Sequence, residues 1–116
     1  MVRKADNILI EKKKMFDVEG MAELHHILRG KEEMYGKGRV FSHLILVPGA
    51  EVGWHIHHGD GETYYILKGV GEYNDNGTPV QVEPGDVTFV DAEEGHALKN
   101  IGNDNLEAIA LILFKN

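Results

Sequence analysis

The sequence of 116 residues contains no cysteine. Disulfide bonds, thiolate zinc sites, iron–sulfur clusters and cysteine nucleophiles are therefore excluded. The sequence also lacks a long hydrophobic run, since the longest covers only residues 108–114, whereas a membrane-spanning helix needs roughly 20 residues. The first residues contain no apolar core of the kind found in secretory signals. We therefore expect a cytoplasmic protein that does not interact with membranes.

Basic residues are also scarce. The chain has 12 lysines and arginines against 19 aspartates and glutamates, which gives a net charge of -7. Proteins that bind nucleic acids obtain much of their affinity from basic side chains that neutralise phosphates. We therefore expect no nucleic-acid partner. The length suits one domain and leaves no room for a second.

Helical periodicity is nearly absent, while turn signals recur about every 8–12 residues. Among these signals are the pairs Pro48-Gly49, Asn76-Gly77 and Pro84-Gly85. Asn-Gly suits a tight hairpin whose central residues need positive φ angles. The pattern predicts an all-β barrel over residues 21–116, preceded by an N-terminal arm, residues 1–20, with one strand near residues 8–10. A single helical turn is expected within residues 31–35.

Histidines carry most of the chemical information in the sequence. In a strand, alternate side chains share a face, so His55 and His57 project to the same side while Ile56 points away. Two adjacent buried imidazoles need hydrogen-bond partners, and a metal ion satisfies them well. Glu62 follows across a glycine-rich turn, and His96 lies several strands later. Closure of a barrel is expected to bring these four residues together.

These residues belong to two motifs that resemble those of the cupin superfamily. The positions that fit the first motif are Gly49, His55, His57, Glu62 and Gly69. The positions that fit the second motif are Gly85, His96 and Asn100. Asp91 and Glu93 replace the proline and glycine of the second motif, which puts the loop before His96 in doubt but not the ligand itself.

The resemblance implies a double-stranded β-helix, or jelly roll, that binds one divalent transition-metal ion per chain. Its ligands would be His55, His57, Glu62 and His96, and the ion would be manganese, iron, nickel, cobalt or zinc. Such a mixed set of nitrogen and oxygen ligands does not select one metal. Small cupins usually form homodimers and exchange N-terminal strands, so the resemblance also implies a homodimer.

Three functions are compatible with these motifs and with the implied metal site. The first is a metal-dependent enzyme acting on a small anionic or oxygen-rich substrate, with oxalate-decarboxylase-like, dioxygenase or isomerase chemistry. The second is a non-catalytic module that binds a small molecule or a metal, and the third is a homodimer scaffold with a vestigial metal. Tyr64 is the candidate catalytic residue because it shares the face of Glu62. The alternative for Tyr64 is an aromatic side chain that only fills the barrel.

Other aromatic residues are interpreted structurally. Trp54 shares the face of Ile56 and is expected to point away from the ligands, where the two form a candidate interface. Phe89 is expected in the core.

Four further histidines are also given structural interpretations. His43 is expected to be a hydrogen-bonded structural residue, and His58 a turn residue. His25 and His26 are expected on a strand at the surface.

Overall fold

The computed structural model describes residues 1–16, 18 and 20–116. The elements, in chain order, are a 3₁₀ turn at Ala5–Asn7, β1 (Leu9–Lys13), β2 (Ala22–Leu28), α1 (Gly30–Glu33), β3 (Gly38–Leu46), β4 (Glu51–Ile56), β5 (Asp60–Lys68), β6 (Gly71–Asp75), β7 (Thr78–Val82), β8 (Val87–Val90), β9 (Gly95–Asn100) and β10 (Leu106–Phe114). Within these described residues, no helix has the length and apolar character needed to cross a membrane.

The strands form two antiparallel sheets. One sheet has the order β1-β2-β3-β10-β5-β8, and the other has the order β4-β9-β6-β7. Strands that are neighbours in a sheet are mostly distant in sequence, as when β10 lies between β3 and β5. The architecture is the predicted jelly roll, which closes most strand edges by long-range pairing.

The inner faces of the two sheets carry the core. On β5, Tyr64 and Ile66 are buried while Tyr65 and Leu67 are exposed, so the side chains alternate as a strand requires. The largest fully buried apolar side chains are Leu44, Leu46, Ile66, Leu98 and Leu106. This apolar packing fixes the positions of the polar residues that share the same inner faces.

The predicted hairpin at Asn76-Gly77 joins β6 and β7. Both residues have positive φ angles, 49° and 107°, as a two-residue hairpin turn requires. The Asn74 side chain accepts a hydrogen bond from the Gly77 amide at 2.7 Å, which further stabilises the turn. The expected helical turn within residues 31–35 is also present, as α1.

The N-terminal segment adds an edge strand to the larger sheet. β1 pairs with β2 of the same chain, with Leu9 opposite His26 and Lys13 opposite Ala22. Beyond β1, Met15 forms a bridge to Val52 on the other sheet. The segment therefore runs from one sheet to the other at one end of the barrel. The division of the chain at residue 20 stays a prediction.

The expectation that Phe89 lies in the core is wrong. Phe89 is 59% exposed, whereas its neighbours Thr88 and Val90 are buried. β8 is an edge strand, and its alternation places Thr88 and Val90 on the inner face. Phe89 consequently lies on the outer face of the sheet.

Candidate metal centre

Three strands bring the predicted ligands together. His55 lies on β4 directly opposite His96 on β9, and Glu62 lies on β5 of the other sheet. His57 follows the end of β4 and is fixed by two backbone hydrogen bonds: its amide donates to Glu94 at 3.0 Å, and its carbonyl accepts from the Glu93 amide at 2.6 Å. One ligand atom from each of these four residues, here called the His–Glu cluster, lies within 4.8 Å of all the others.

The loop before His96 keeps its turn although a glutamate replaces the expected glycine. Glu93 adopts a φ of 70°, the left-handed region that glycine favours. Its carboxylate accepts hydrogen bonds from the Gly59 amide at 3.0 Å and pairs with His58 at 2.9 Å. These contacts join the two loops that flank the His–Glu cluster, and they offset the strain of the backbone.

The ring nitrogens of the cluster converge on one point. The Nε2 atoms of His55, His57 and His96 are each 3.1 Å from the other two. The Oε1 atom of Glu62 lies 3.1 Å from Nε2 of His96 and 3.3 Å from Nε2 of His57. Donor atoms bound to one ion at about 2.1 Å lie roughly 3.0–3.4 Å apart in octahedral or tetrahedral geometry. The observed separations fit that range.

Hydrogen bonds on the opposite side of two rings fix their tautomers. His55 Nδ1 lies 2.7 Å from the Gly53 carbonyl, and His57 Nδ1 lies 2.6 Å from the Asp60 carboxylate. A carbonyl and a carboxylate only accept, so both Nδ1 atoms must donate a proton. In the neutral rings, Nε2 then carries a lone pair that points into the cluster.

The ring of His96 has a hydrogen-bond partner that is consistent with the same tautomer. His96 Nδ1 lies 2.8 Å from the hydroxyl oxygen of buried Tyr73, which can accept its proton. Three lone pairs and a carboxylate would then face one another within hydrogen-bond distance. A cation relieves that repulsion, so the donor set fits a divalent transition-metal ion.

The pKa shifts of the cluster residues reflect the same attraction of the site for positive charge. Burial alone would raise the pKa of Glu62, but hydrogen bonds from His57 and His96 outweigh it and lower the pKa to about 2. Burial lowers the pKa of His55, whereas the carboxylates of Glu62 and Asp60 overcome burial and raise the pKa of His57. A proton is therefore held more readily at His57 than at His55, and a metal ion would displace it.

A cavity of about 500 Å³ opens onto the cluster. Its wall includes His55, His57, Glu62 and Tyr64, together with apolar side chains from both sheets. Phe16 from the N-terminal segment stacks on the His55 ring, with centroids 4.1 Å apart and an interplanar angle of 9°. The size lies within the usual range for pockets that bind small molecules.

Tyr64 lies beside the cluster, on the inner face as predicted. It is 2% exposed, and its ring stacks on His96 with a centroid distance of 5.3 Å. Burial, followed by the negative charge of Glu62, raises the pKa of Tyr64 well above its ordinary value. The hydroxyl group is therefore protonated at neutral pH.

Two residues that hold the ligands were missed by the sequence interpretation. Asp60 begins β5, and its buried carboxylate holds His57 and also accepts a hydrogen bond from Arg39 at 2.8 Å. Tyr73 lies on β6 and holds His96. A signal for Asp60 was its place between His57 and Glu62, but the sequence offered no comparable signal for Tyr73.

Several residues lie where the sequence analysis placed them. Trp54 and Ile56 point away from the cluster, and each is 47% exposed. The prediction that a second copy covers this face in a homodimer stays a prediction. His43 is hydrogen-bonded to Glu107 at 2.7 Å, and exposed His58 pairs with Glu93, as expected for structural residues.

The expectation for the pair His25-His26 is half wrong. Both residues lie on β2, but adjacent residues face opposite sides of a sheet, so one of them must point inward. His26 shares the inner face with buried Leu24 and lines the cavity. His25 lies on the outer face and is hydrogen-bonded to Glu23.

Comparison with known proteins places the chain in a family. The sequence profile of the Cupin domain family matches residues 42–112, and the chain therefore belongs to the cupin family. An oxalate-binding protein of Thermotoga maritima is 45% identical over 95 residues, which cover 82% of this chain and 78% of that protein.

Solved structures agree with this assignment. A crystal structure from Thermotoga maritima, described as a predicted oxalate decarboxylase, is 42% identical with a TM-score of 0.91, covering 98% of this chain and 99% of that one. A sugar phosphate isomerase of the cupin superfamily from Silicibacter pomeroyi is 15% identical with a TM-score of 0.72, covering 97% of this chain and 75% of that one. The second similarity concerns the fold alone, because one fold supports many reactions.

Proposed function

We propose that this protein is a metal-dependent enzyme that acts on a small carboxylate anion, with oxalate as the first substrate to test. The observation that carries the proposal is the convergence of three histidine Nε2 atoms, 3.1 Å apart, beside the buried Glu62 carboxylate. The substrate class is suggested by the curated relative and the crystal structure from Thermotoga maritima, whose descriptions both refer to oxalate.

The charge of the site favours an anionic ligand. Three neutral imidazoles and one carboxylate around a divalent ion leave a formal charge near +1. In a cavity that excludes much of the water, this charge attracts a carboxylate more strongly than it would in bulk solvent. When bound, the metal ion would supply Lewis-acid chemistry at the substrate's oxygen atoms. Elemental analysis is needed to choose among manganese, iron, nickel, cobalt and zinc.

Tyr64 is the residue that we expect to contact the substrate. Decarboxylation of the oxalate dianion gives carbon dioxide and formate, and it consumes one proton. Tyr64 lines the cavity beside the cluster, and its hydroxyl group holds its proton at neutral pH. We therefore assign to Tyr64 a hydrogen bond to the bound carboxylate and, in an enzyme, delivery of the proton.

A second candidate function is a binding protein without catalysis. The strongly raised pKa of Tyr64 favours this candidate, because a hydroxyl group that holds its proton so tightly is a weak general acid. One similar protein is also described as oxalate-binding rather than as an enzyme. In this case Tyr64 would orient the ligand and transfer nothing.

The proposal is tested in two steps. Protein purified without added metal is first analysed for its elements, and we expect about one transition-metal ion per chain. Oxalate binding is then measured by calorimetry on the metal-loaded and the metal-free protein, and carbon dioxide and formate are assayed. Metal-dependent binding with turnover supports the enzyme, and binding without turnover supports the second candidate. Failure of the loaded protein to bind oxalate or any other small carboxylate would contradict both.

A matched pair of variants tests the role of Tyr64. Tyr64→Phe removes the hydroxyl group inside the cavity, whereas Tyr65→Phe removes one from the exposed outer face of the same strand. We expect only Tyr64→Phe to weaken oxalate binding, by roughly 3- to 10-fold for the loss of one hydrogen bond. Equal behaviour of the two variants would contradict the assignment of Tyr64.

A further inference from the structure

Arg39 on β3 lies on the cavity wall, with 44% of its side chain exposed, although strand alternation would place it on the outer face. Inward-facing Ser42 and Leu44 are buried, and continuing the alternation back along β3 puts Arg39 on the outer face. Both Arg39 and its neighbour Val40 nevertheless line the cavity. A local irregularity in the strand is required to turn two consecutive side chains to the same side.

The irregularity is a β-bulge. On β10, Ile112 pairs with Val40 and Leu113 pairs with Gly38, so Arg39 has no partner in the ladder. An extra residue of this kind bends the strand and redirects its side chain, and such bulges are frequent next to active sites. The bulge thus accounts for the position of Arg39 on the cavity wall.

Asp60 holds the redirected side chain in place. The Arg39 Nε atom donates to Asp60 Oδ2 at 2.8 Å, and the Asp60 side chain is only 6% exposed. The other oxygen of Asp60 accepts from His57 at 2.6 Å. Among the described residues, Asp60 is the only side chain that is hydrogen-bonded to Arg39, so both terminal nitrogens of the guanidinium remain available to a ligand.

The cavity wall gathers basic residues in an acidic protein. The whole chain has 19 acidic and 12 basic residues. The residues that line the cavity include three basic side chains, Lys13, Lys14 and Arg39, and two acidic ones, Glu11 and Glu62, while Asp60 pairs with Arg39. Lys13 lies 3.9 Å from Glu11, which offsets its charge. Arg39 is the basic residue that is linked to the cluster, because buried Asp60 is hydrogen-bonded to both Arg39 and His57.

We propose that Arg39 determines specificity by binding the second anionic group of a small dicarboxylate whose first carboxylate occupies the metal centre. The inference rests on the proposed function and goes beyond it, because it predicts selection of dianions over monocarboxylates. A guanidinium group fits this role since its planar fork donates two parallel hydrogen bonds to one carboxylate. The Asp60 contact uses Nε and leaves that fork free.

The test compares a dianion with a monoanion. Protein saturated with manganese(II) is titrated with oxalate and with acetate by calorimetry, in the wild type, Arg39→Gln and Arg39→Lys. Lys37→Gln is the matched control, because it removes one exposed positive charge from the turn next to β3. We expect Arg39→Gln to weaken oxalate binding roughly 10- to 100-fold and to change acetate binding less than about 2-fold. Arg39→Lys should restore part of the oxalate affinity, and the control should bind both ligands as the wild type does.

Manganese affinity is measured separately for each variant, because Arg39 also touches the aspartate that holds His57. If Arg39→Gln lowers manganese affinity but binds oxalate normally once saturated, Arg39 only supports the metal ligand and the inference is overturned. Equal losses for oxalate and acetate would also overturn it. If the saturated wild type binds neither anion, the proposed function fails as well, which separates the two failures.

Discussion

Two ends of the same cavity use histidine in opposite ways. At the His–Glu cluster, His55 and His57 each give one nitrogen to a protein acceptor and leave the other pointing at the common centre. At the wall formed by β1, β2 and β3, His26 uses both nitrogens: Nδ1 contacts Ser42 at 2.7 Å and Nε2 contacts Glu11. Both ends line the cavity, but only at the first do ring nitrogens from several histidines converge on one point.

The surrounding acceptors, and not the presence of histidine alone, therefore decide whether a ring can serve as a metal ligand. His43 on the outer face is likewise occupied by a carboxylate, that of Glu107. A ring can become a ligand where a neighbour accepts a hydrogen bond from Nδ1 and where Nε2 converges with other donor atoms on one point. Variants at the two ends of the cavity can therefore be compared by their metal affinity and their stability.

The largest effect is expected from removing a ligand. His57→Ala deletes the ring that contacts both other imidazoles, and we expect metal affinity to fall by at least about 100-fold while the barrel remains folded. His43→Ala, on the outer face, is the control and should retain the metal. Elemental analysis and circular dichroism measure the two properties. Unfolding of His57→Ala would show instead that the cluster is structural.

Acid should destabilise the metal-free protein through Glu62. Its pKa is about 2 in the folded chain and 4.5 ordinarily, so the ionised form is favoured by folding. That contribution is complete above pH 4.5 and is lost as the pH falls towards 2, by up to about 3 kcal/mol. Glu62→Gln does not titrate, and its free energy of unfolding should vary less across this interval. Urea unfolding at several pH values measures the difference, and parallel curves would contradict the prediction.

A smaller loss of metal affinity is expected from the residue behind His57. Asp60→Asn keeps the shape but removes the negative charge that orients the ring and favours its Nδ1 proton. Changes of this kind typically reduce metal affinity about 10- to 100-fold. Asp104→Asn, in an exposed loop, is the control. Competition with a coloured chelator measures the affinity, and equal values for the two variants would show that Asp60 does not tune the site.

The sequence predicted the parts of this molecule that follow from local rules. Period-two alternation placed His55, His57 and Tyr64 inside and Trp54 outside, and turn residues marked most strand ends. The resemblance to cupins added the expectation that Glu62 and His96, from distant strands, meet them.

The remaining parts depend on packing that no local rule contains. The position of Arg39 on the cavity wall follows from a register shift between β3 and β10, which the sequence does not display. Tyr73 meets His96 because β6 pairs with β9. Phe89 is hydrophobic enough for a core, but it lies on the outer face of an edge strand, and hydrophobicity alone does not specify a face.

The smallest effect is expected at the other end of the cavity. His26→Leu leaves the buried Ser42 hydroxyl group without its partner, and we expect a loss of stability of about 1–2 kcal/mol. Glu11, whose pKa is lowered chiefly by its hydrogen bond from His26, should titrate nearer its ordinary value. His25→Leu changes the adjacent residue on the outer face and should cost less, because its partner Glu23 is only part-buried. Neither substitution should alter metal affinity by more than about 2-fold, since both rings lie outside the cluster. A 10-fold loss in His26→Leu would mean that the two ends of the cavity are coupled, and that histidines with both nitrogens occupied still influence the centre.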